Sequence, residues 1–250
     1  MLMTKTLKER ADDLGLHGLI ANWDEVREIP ELERLIALEE EERQARGLAR
    51  RHRNAQLGRF KSMVDFDFTW PKRLDRRQVE ELLTLRFVNE TTNVILVGPN
   101  GVGKTMIAKN LADRAVHAGH TAKFLTASAL LHDLGAQDST SALRRRIKHY
   151  ARPRLLVIDE VGYLSYDSQA ADLLFEVVNV RYQSKPTILT TNRAFAEWNK
   201  VFPSATCVIT LVDRLVHNAE IVQVEGESYR LKEARESAAE RRARREAKAD

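Results

Sequence analysis

Short apolar runs alternate with amphipathic segments through the middle of the chain. Apolar positions recur with helical spacing over residues 106–117 and 170–182, for example. Four short runs have the length and residue types of buried strands: Val94–Val97, Lys123–Thr126, Leu155–Ile158 and Thr187–Thr190. Strands that alternate with helices predict a parallel sheet covered on both faces, and therefore an α/β fold. Ligands of such sheets bind at the carboxyl ends of the strands.

The first 65 residues have a different pattern and predict a small all-helical domain. They are rich in Leu, Glu and Arg, with helices expected over residues 4–21 and 30–53. The following segment contains Phe66 and Phe68 and then Trp70-Pro71, which stops any helix. The two phenylalanines either anchor a linker on the next domain, which is the commoner role of such a pair, or stack on nucleic-acid bases.

The remainder of the chain completes the predicted organisation. A helix is expected over residues 74–87, another over 210–219, and a strand over 221–224. Residues from Lys232 onward are nearly all Ala, Glu, Arg and Lys, so this segment is either an exposed helix or disordered. We therefore predict three parts: a helical N-terminal domain over 1–65, an α/β domain over 66–231, and a charged tail over 232–250.

Composition limits the class of protein. The chain has 250 residues, of which 43% are hydrophobic and 30% charged, and no apolar run approaches the length of a membrane span. The N-terminus lacks the apolar core of a secretory signal. A single cysteine, Cys207, allows no internal disulfide, so we expect a cytoplasmic protein without membrane contact. Cys207 itself fits a small buried apolar residue better than a nucleophile.

The strand at 94–97 leads directly into a glycine-rich loop that predicts a nucleotide site. This loop matches G-x-x-x-x-G-K-[ST], lies between a strand and a helix, and has the sequence Gly98, Pro99, Asn100, Gly101, Val102, Gly103, Lys104, Thr105. Glycines allow the backbone N–H groups to surround an anion, and the following helix adds its positive end. Lys104 is expected to reach the β- and γ-phosphates of ATP, and the Thr105 hydroxyl to bind Mg²⁺.

Polar residues follow two of the other predicted strands at the same sheet edge. Asp159 and Glu160 end the run LLVIDE, where Asp159 suits a Mg²⁺ ligand and Glu160 suits the residue that orients and deprotonates the attacking water. Neighbouring side chains on a strand point in different directions, so the two roles can be separate. Asn192 ends the run TILTTN, and either positions that water or simply forms a turn.

Five segments in this order resemble the AAA+ ATPases: GPNGVGKT, LLVIDE, TILTTN, LVDRL and GESYR. The resemblance is to the initiator branch, which contains the helicase loader DnaC and the IstB transposition helpers. Two longer stretches, one beginning FDFTWPKRL and one beginning TTNRAFAEW, are similar to IstB in particular. The resemblance implies a three-layer P-loop sandwich with a central parallel sheet, preceded by a small helical domain, and ATP hydrolysis with Mg²⁺.

The resemblance also implies roles for single residues. Asn192 would be the first sensor residue, and Arg230, in GESYR, the second sensor acting on the nucleotide of its own subunit. Arg214, in LVDRL, would be an arginine finger offered to a neighbouring subunit. A finger supplied in this way implies a head-to-tail homo-oligomer with ATP at the subunit interfaces. Asn100 and Val102 differ slightly from the commonest family loop, at positions that contribute mainly backbone.

Clustered basic residues predict duplex DNA as a partner. Net charge is only +4, but the isoelectric point is about 9.2. The candidate phosphate contacts are Arg50, Arg51, Arg53, Arg76, Arg77, Arg144, Arg145, Arg146 and Lys148. Such clusters bind DNA without choosing sequence. The alternative for each cluster is a solvated face paired with glutamate, which is weakest for 144–148 because no acid stands beside it in sequence.

These expectations favour an ATP-regulated, DNA-binding helper that assists a partner transposase in transposition. A DnaC-like loader of a replicative helicase is the main alternative. A P-loop kinase of small molecules is less favoured, because paired acids and basic clusters fit hydrolysis on a polymer better. A nucleotide-dependent scaffold with negligible hydrolysis is a fourth reading.

Overall fold

Two compact units make up the computed structural model, which describes residues 5–163, 168–202 and 206–246. One unit ends at Arg50 and the other begins at Arg51, so the division falls within a long helix. The sequence places the end of the helical domain later, after residue 65. Residues 51–65 therefore group with the α/β unit.

The first unit consists of short helices around a small apolar core. Its helices are α1 (Leu7–Asp13), α2 (His17–Ala21), α3 (Trp23–Val26) and the first part of α4 (Leu32–Ala55). Thr6 and Glu9 form a capping box at the start of α1, and Ala11 and Ile36 are fully enclosed. The prediction of one helix over 4–21 is wrong, because the chain turns at Gly15, whose φ of +62° lies outside helical geometry. The predicted second helix is confirmed by α4.

The second unit is built on a five-stranded, all-parallel sheet in the order β2-β3-β4-β1-β5. The strands are β1 (Asn93–Val97), β2 (Ala122–Thr126), β3 (Leu155–Val161), β4 (Thr187–Thr191) and β5 (Ala219–Gln223). The central strands are apolar because both of their faces are covered, and the side chains of β1, β3 and β4 are mostly inaccessible. The predicted α/β fold and its strands are confirmed.

Helices connect and cover these strands. In chain order they are α5 (Arg76–Leu82), α6 (Arg86–Asn89), α7 (Lys104–His117), α8 (Ala127–Gly135), α9 (Thr140–Ala151), α10 (Ser168–Arg181), α11 (Trp198–Val201), α12 (Val208–Val216) and α13 (Tyr229–Glu246). Two helix predictions need correction. The segment 74–87 is two helices, because buried Leu85 adopts a left-handed φ of +63° between them. The segment 210–219 ends as a helix at Val216, since Ala219 already pairs with β1.

The charged tail is helical as far as the structure describes it. α13 continues to Glu246, and residues 247–250 lie outside the described residues. Ion pairs hold the beginning of α13, with Lys61 Nζ 2.6 Å from Glu233 Oε1 and Lys232 Nζ 3.4 Å from Asp67 Oδ2. None of the helices in the described ranges combines the length and the apolar character needed to cross a bilayer.

Arg181, at the end of α10, binds the chain where β3 and β4 begin, at the end of the sheet away from the predicted site. Only 2% of this residue is exposed. Its guanidinium donates five hydrogen bonds of 2.5–3.2 Å, to the Thr187 hydroxyl and to the carbonyls of Ala151, Pro153, Arg154 and Pro186. Burial lowers the pKa of Arg181, and the nearby Arg154 lowers it further. The bonds offset this cost because each of the five N–H donors has an acceptor.

Arg181→Lys is expected to lower the free energy of unfolding by about 2–4 kcal/mol. Lysine has three N–H donors and lacks the planar, forked geometry of the guanidinium, so at least two of the five acceptors lose their partner. Each buried acceptor left unsatisfied costs about 1–3 kcal/mol. Urea denaturation measures the change, with Arg86→Lys on the surface as the control, expected to stay within about 0.5 kcal/mol of the wild type. Equal stability of the two variants would contradict the role given to Arg181.

Candidate nucleotide-binding site

The glycine-rich loop runs from the end of β1 to the start of α7, as the sequence predicts. Two of its glycines are required by the surrounding structure. A Cβ on Gly98 would lie 1.9 Å from the carbonyl oxygen of Val224, just after β5. Gly103 has a φ of +101°, and a Cβ there would lie 2.6 Å from the Phe66 ring. The loop is therefore enclosed between the chain after β5 and the segment before α5.

Lys104 lies at the centre of the loop. Its ammonium group donates to the carbonyl oxygens of Gly98 and Pro99, each at 2.6 Å. Burial, together with the nearby Arg230, lowers the pKa of Lys104 to about 8 despite the opposing influence of Asp159 and Glu160. The ammonium thus lies close to both acids and to Arg230, and a bound phosphate would compensate its desolvated charge.

Asp159 connects the loop to the sheet. The carboxylate is 3% exposed, and the Thr105 hydroxyl lies 3.0 Å from both of its oxygens. The Thr190 hydroxyl, on β4, donates to Asp159 Oδ1 at 2.5 Å. A hydroxyl and a carboxylate are hard oxygen ligands of the kind that Mg²⁺ prefers, so Thr105 and Asp159 fit a magnesium ion.

The Glu160 side chain points in a different direction from that of Asp159, as expected of adjacent residues on a strand. The pairing of β3 with β4 is irregular between Ile158 and Val161, and Glu160 adopts a φ of +62°. Its N–H donates to the Thr190 hydroxyl at 2.9 Å, and its side chain is exposed towards the cavity. A left-handed backbone at a glutamate costs about 1–2 kcal/mol, and such strain is common at functional sites.

Lys104, Thr105 and Glu160 line one cavity of about 380 Å³, a volume typical of small-molecule sites. Its lining combines the phosphate loop with the ends of β3 and β4 and with α13. The lining includes Asn100, Gly101, Val102, Gly103, Lys104, Thr105, Glu160, Thr190, Asn192, Tyr229 and Arg230. The structure therefore brings Arg230 and Asn192 together with the loop, although they are far apart in sequence.

Asn192 has an unsatisfied polar atom at this cavity. Its Oδ1 is buried and has no hydrogen-bond partner among the described residues. A buried amide oxygen without a partner costs about 1–3 kcal/mol, so the amide is poised for a group that the protein itself does not supply. A nucleotide with its attacking water is such a group, which favours the sensor reading of Asn192 over the turn reading.

Aromatic residues form a wall of the cavity that the sequence argument did not assign to it. Phe66, Trp70 and Tyr229 all line the cavity, with the Trp70 and Tyr229 ring centroids 6.2 Å apart. Phe66 packs against Gly103 and against Phe68, at 4.8 Å between centroids. The two phenylalanines therefore hold the linker onto the α/β unit. Thr190 is a second site residue that the sequence did not predict. Its signal there is that of a polar residue within a buried strand.

Arg214 lies apart from this group. It is on α12, and it is not among the described residues that line the cavity. Its guanidinium stacks over the rings of Phe175 and Tyr182, at 4.7 and 5.5 Å from their centroids, and donates a hydrogen bond to Asn179. The structure therefore does not bring Arg214 to the nucleotide cavity of its own chain.

The basic residues predicted to contact DNA divide into exposed and engaged side chains. Seven of the nine are exposed: Arg50, Arg53, Arg76, Arg77, Arg144, Arg145 and Lys148. Arg51 donates to the Val116 carbonyl at 3.2 Å, and exposed Arg76 pairs with Glu80 at 2.6 Å. No acid lies beside 144–148 in sequence, but Arg146 pairs with the more distant Asp133 and contacts Tyr150, because α8 and α9 pack together.

Cys207 has no sign of nucleophilic activation. Burial, together with a hydrogen bond to Asp172, raises the pKa of its thiol to about 11. A thiol with a raised pKa is protonated at neutral pH and is a poor nucleophile. This agrees with the expectation of a small packing residue.

A family model of IstB-like ATP-binding proteins matches residues 10–237. The chain belongs to this family. It is 37% identical over 202 residues to a protein of insertion sequence IS5376 from Geobacillus stearothermophilus, covering 81% of this chain and 80% of that one. It is 39% identical over 195 residues to a protein of insertion sequence IS21 from Pseudomonas aeruginosa, covering 78% and 74%. Both relatives are named as ATP-binding proteins.

Solved structures agree on the fold. The chain resembles the crystal structure of DnaI with a TM-score of 0.55 and 17% identity, over 69% of this chain and 92% of that one. It resembles the replication initiator DnaA, bound to AMPPCP and single-stranded DNA, with a TM-score of 0.56 and 21% identity, over 72% of this chain and 54% of that one. These similarities confirm the predicted α/β fold with a central parallel sheet.

The lowered pKa of Lys104 predicts that nucleotide binding takes up protons above neutral pH. At pH 8.5 much of Lys104 is neutral, and a bound phosphate favours its charged form, so affinity falls as pH rises through 8. Calorimetry of ATP binding at pH 8.5 in Tris and in Bicine, which differ in ionisation enthalpy, measures the uptake. Lys104→Arg, whose guanidinium stays charged, is the control and should remove most of the difference between buffers. Equal enthalpies for the wild type in both buffers would contradict the prediction.

Proposed function

We propose that this protein is an AAA+ ATPase that assembles on duplex DNA under the control of ATP and assists a partner transposase. The observation that supports this best is the convergence of a phosphate loop, Glu160, Asn192 and Arg230 around one cavity, with Asp159 hydrogen-bonded to Thr105 of the loop. The names of the relatives, which belong to insertion sequences, favour transposition as the setting.

In this proposal each residue has a chemical task. Lys104 exchanges its two carbonyl partners for the β- and γ-phosphates of ATP. Thr105 and Asp159 hold Mg²⁺, which, when bound, would neutralise charge on the phosphates. Exposed Glu160 accepts the proton of the attacking water, which Asn192 helps to position.

Thr190 acts as a positioning residue in the same scheme. One hydroxyl accepts from the Glu160 N–H and donates to Asp159, so it fixes the spacing between the metal ligand and the proton acceptor. Arg230 adds positive charge from the same chain, which would offset charge that develops on the phosphates during transfer.

DNA binding is proposed for the outer surface of α9. Arg144, Arg145 and Lys148 are exposed there and are spaced so that successive turns present positive charge. Contacts of this kind go to phosphates and do not select sequence. The N-terminal helical domain is proposed to dock the transposase.

ATP turnover, measured with and without random duplex DNA, tests the proposal, together with electron microscopy of the assembly. We expect DNA to stimulate turnover and ATP to promote oligomers on DNA. A triple alanine variant of Arg144, Arg145 and Lys148 should lower the salt slope of DNA binding by about 3 per protomer. A triple variant of exposed Arg86, Arg114 and Lys200 is the matched control. A chain that hydrolyses no ATP and stays single on DNA would overturn the proposal.

A further inference from the structure

Two imidazoles and a carboxylate meet where the end of α4 contacts α7. His52 lies in the last turn of α4, while Asp113 and His117 are four residues apart on one face of α7. None of the three is among the described residues that line the nucleotide cavity. The proposed ATPase therefore makes no use of this cluster.

The distances within the cluster fit a common metal ligand sphere. The Nε2 atoms of His52 and His117 are 3.3 Å apart, and His117 Nε2 is 3.8 Å from Asp113 Oδ2. One ligand atom from each residue lies within 4.8 Å of the others. Ligands at about 2.0–2.1 Å from a tetrahedral zinc ion are roughly 3.3–3.4 Å from one another. The imidazole pair already has this spacing, and the distance from His117 Nε2 to Asp113 Oδ2 exceeds it by about 0.5 Å.

Other contacts fix the two helix ends that carry these side chains. Arg51 donates to the Val116 carbonyl at 3.2 Å, which joins the same two helix ends. Ala55 is fully buried just after His52. The side chains remain accessible, with 36% of His52, 28% of Asp113 and 55% of His117 exposed. An ion can therefore enter, and water can complete its coordination.

We propose that His52, Asp113 and His117 bind a divalent transition-metal ion of the zinc type. Imidazole nitrogens favour zinc, nickel or cobalt over magnesium, and the carboxylate supplies a negative charge. The competing explanation is a neutral imidazole pair that shares a hydrogen bond, with Asp113 as a nearby acceptor. A bound ion would clamp the last turn of α4 to the end of α7, the helix that begins with Lys104 and Thr105.

Titration of the full chain with Zn²⁺ tests the site, without nucleotide and with excess Mg²⁺ so that the magnesium ligands are occupied. A chromogenic chelator reports the free zinc. We expect one zinc per chain, and at least a tenfold loss of affinity in each of His52→Gln, Asp113→Asn and His117→Gln. His132→Gln, a substitution of another exposed histidine, and Cys207→Ser should bind as the wild type does.

A second readout separates coordination from folding defects. Circular dichroism verifies that each variant is folded, and saturating Zn²⁺ should raise the Tm of the wild type by several degrees but leave the three variants unchanged. Co²⁺ in place of zinc should give visible absorption bands of a low-coordinate site in the wild type only. If the folded wild type binds no zinc, the proposal fails and the hydrogen-bonded imidazole pair explains the cluster. The proposal fails equally if the three variants retain wild-type affinity or if only Cys207→Ser loses it.

Discussion

Lys104→Ala is expected to abolish measurable ATP binding and, with it, turnover. The ammonium is buried among carbonyls of its own loop, where it is ready to receive phosphate oxygens in their place. Removing one partner of a buried, hydrogen-bonded charge pair costs about 2–5 kcal/mol, which corresponds to roughly 30- to several-thousand-fold in affinity. Calorimetry or a fluorescent ATP analogue measures the loss.

Lys109 provides the matched control for this experiment. It lies five residues further along α7 and also lines the cavity, but its ammonium lies over the Phe124 ring, 4.7 Å from the centroid. Lys109→Ala should weaken ATP binding less than tenfold, since the phosphates are expected at Lys104. If the Lys104→Ala variant bound ATP within threefold of the wild type, the phosphate assignment would be wrong.

Arg214→Ala is expected to leave ATP binding intact and to reduce turnover by about 10³-fold or more, the effect typical of an arginine finger. Arg214 stacks on Phe175 of α10 and is not among the described residues that line the nucleotide cavity of the same chain, so its loss should not disturb ATP binding there. A catalytic role therefore requires that it reach the cavity of a neighbouring subunit. Mixing Arg214→Ala with Glu160→Gln should restore part of the turnover, because some interfaces then join an intact finger to an intact acid.

The mixing experiment also separates catalysis from structure. If Arg214 only fastens α12 to α10, its alanine variant would have a lower Tm and mixing would restore nothing. Arg235→Ala, at an exposed position on α13, controls for the loss of one positive charge and should retain turnover. Absence of rescue with both variants folded and able to bind ATP would rule out a finger acting between subunits.

The local pattern of the chain was sufficient to predict the parts of the site that lie on regular elements. Buried parallel strands need apolar runs, so β1, β3 and β4 and the polar residues at their ends were visible in the sequence. The separation of Asp159 from Glu160 followed from strand geometry, although the left-handed backbone at Glu160 did not.

Other features depend on contacts between distant segments and have no local signature. The pairing of Arg146 with Asp133 arises only when α8 packs on α9, and the wall formed by Trp70 and Tyr229 joins residues 159 positions apart. Helix ends were also misplaced where a single left-handed residue, Gly15 or Leu85, interrupts an otherwise helical pattern. Side-chain periodicity does not report such backbone choices.

The beginning of α13 contacts the phosphate loop directly, because the Tyr229 N–H donates to the Gly101 carbonyl at 2.9 Å. Just before this helix, the Val224 carbonyl oxygen packs against Gly98. A rearrangement of the loop around a nucleotide is therefore expected to tilt the base of this helix. The 18 residues of α13 give it a length of about 27 Å, so a tilt of about 5° would move its far end by about 2 Å. Contact between the loop and the base of α13 therefore gives a nucleotide in the cavity a direct mechanical route to the surface at the far end of this helix.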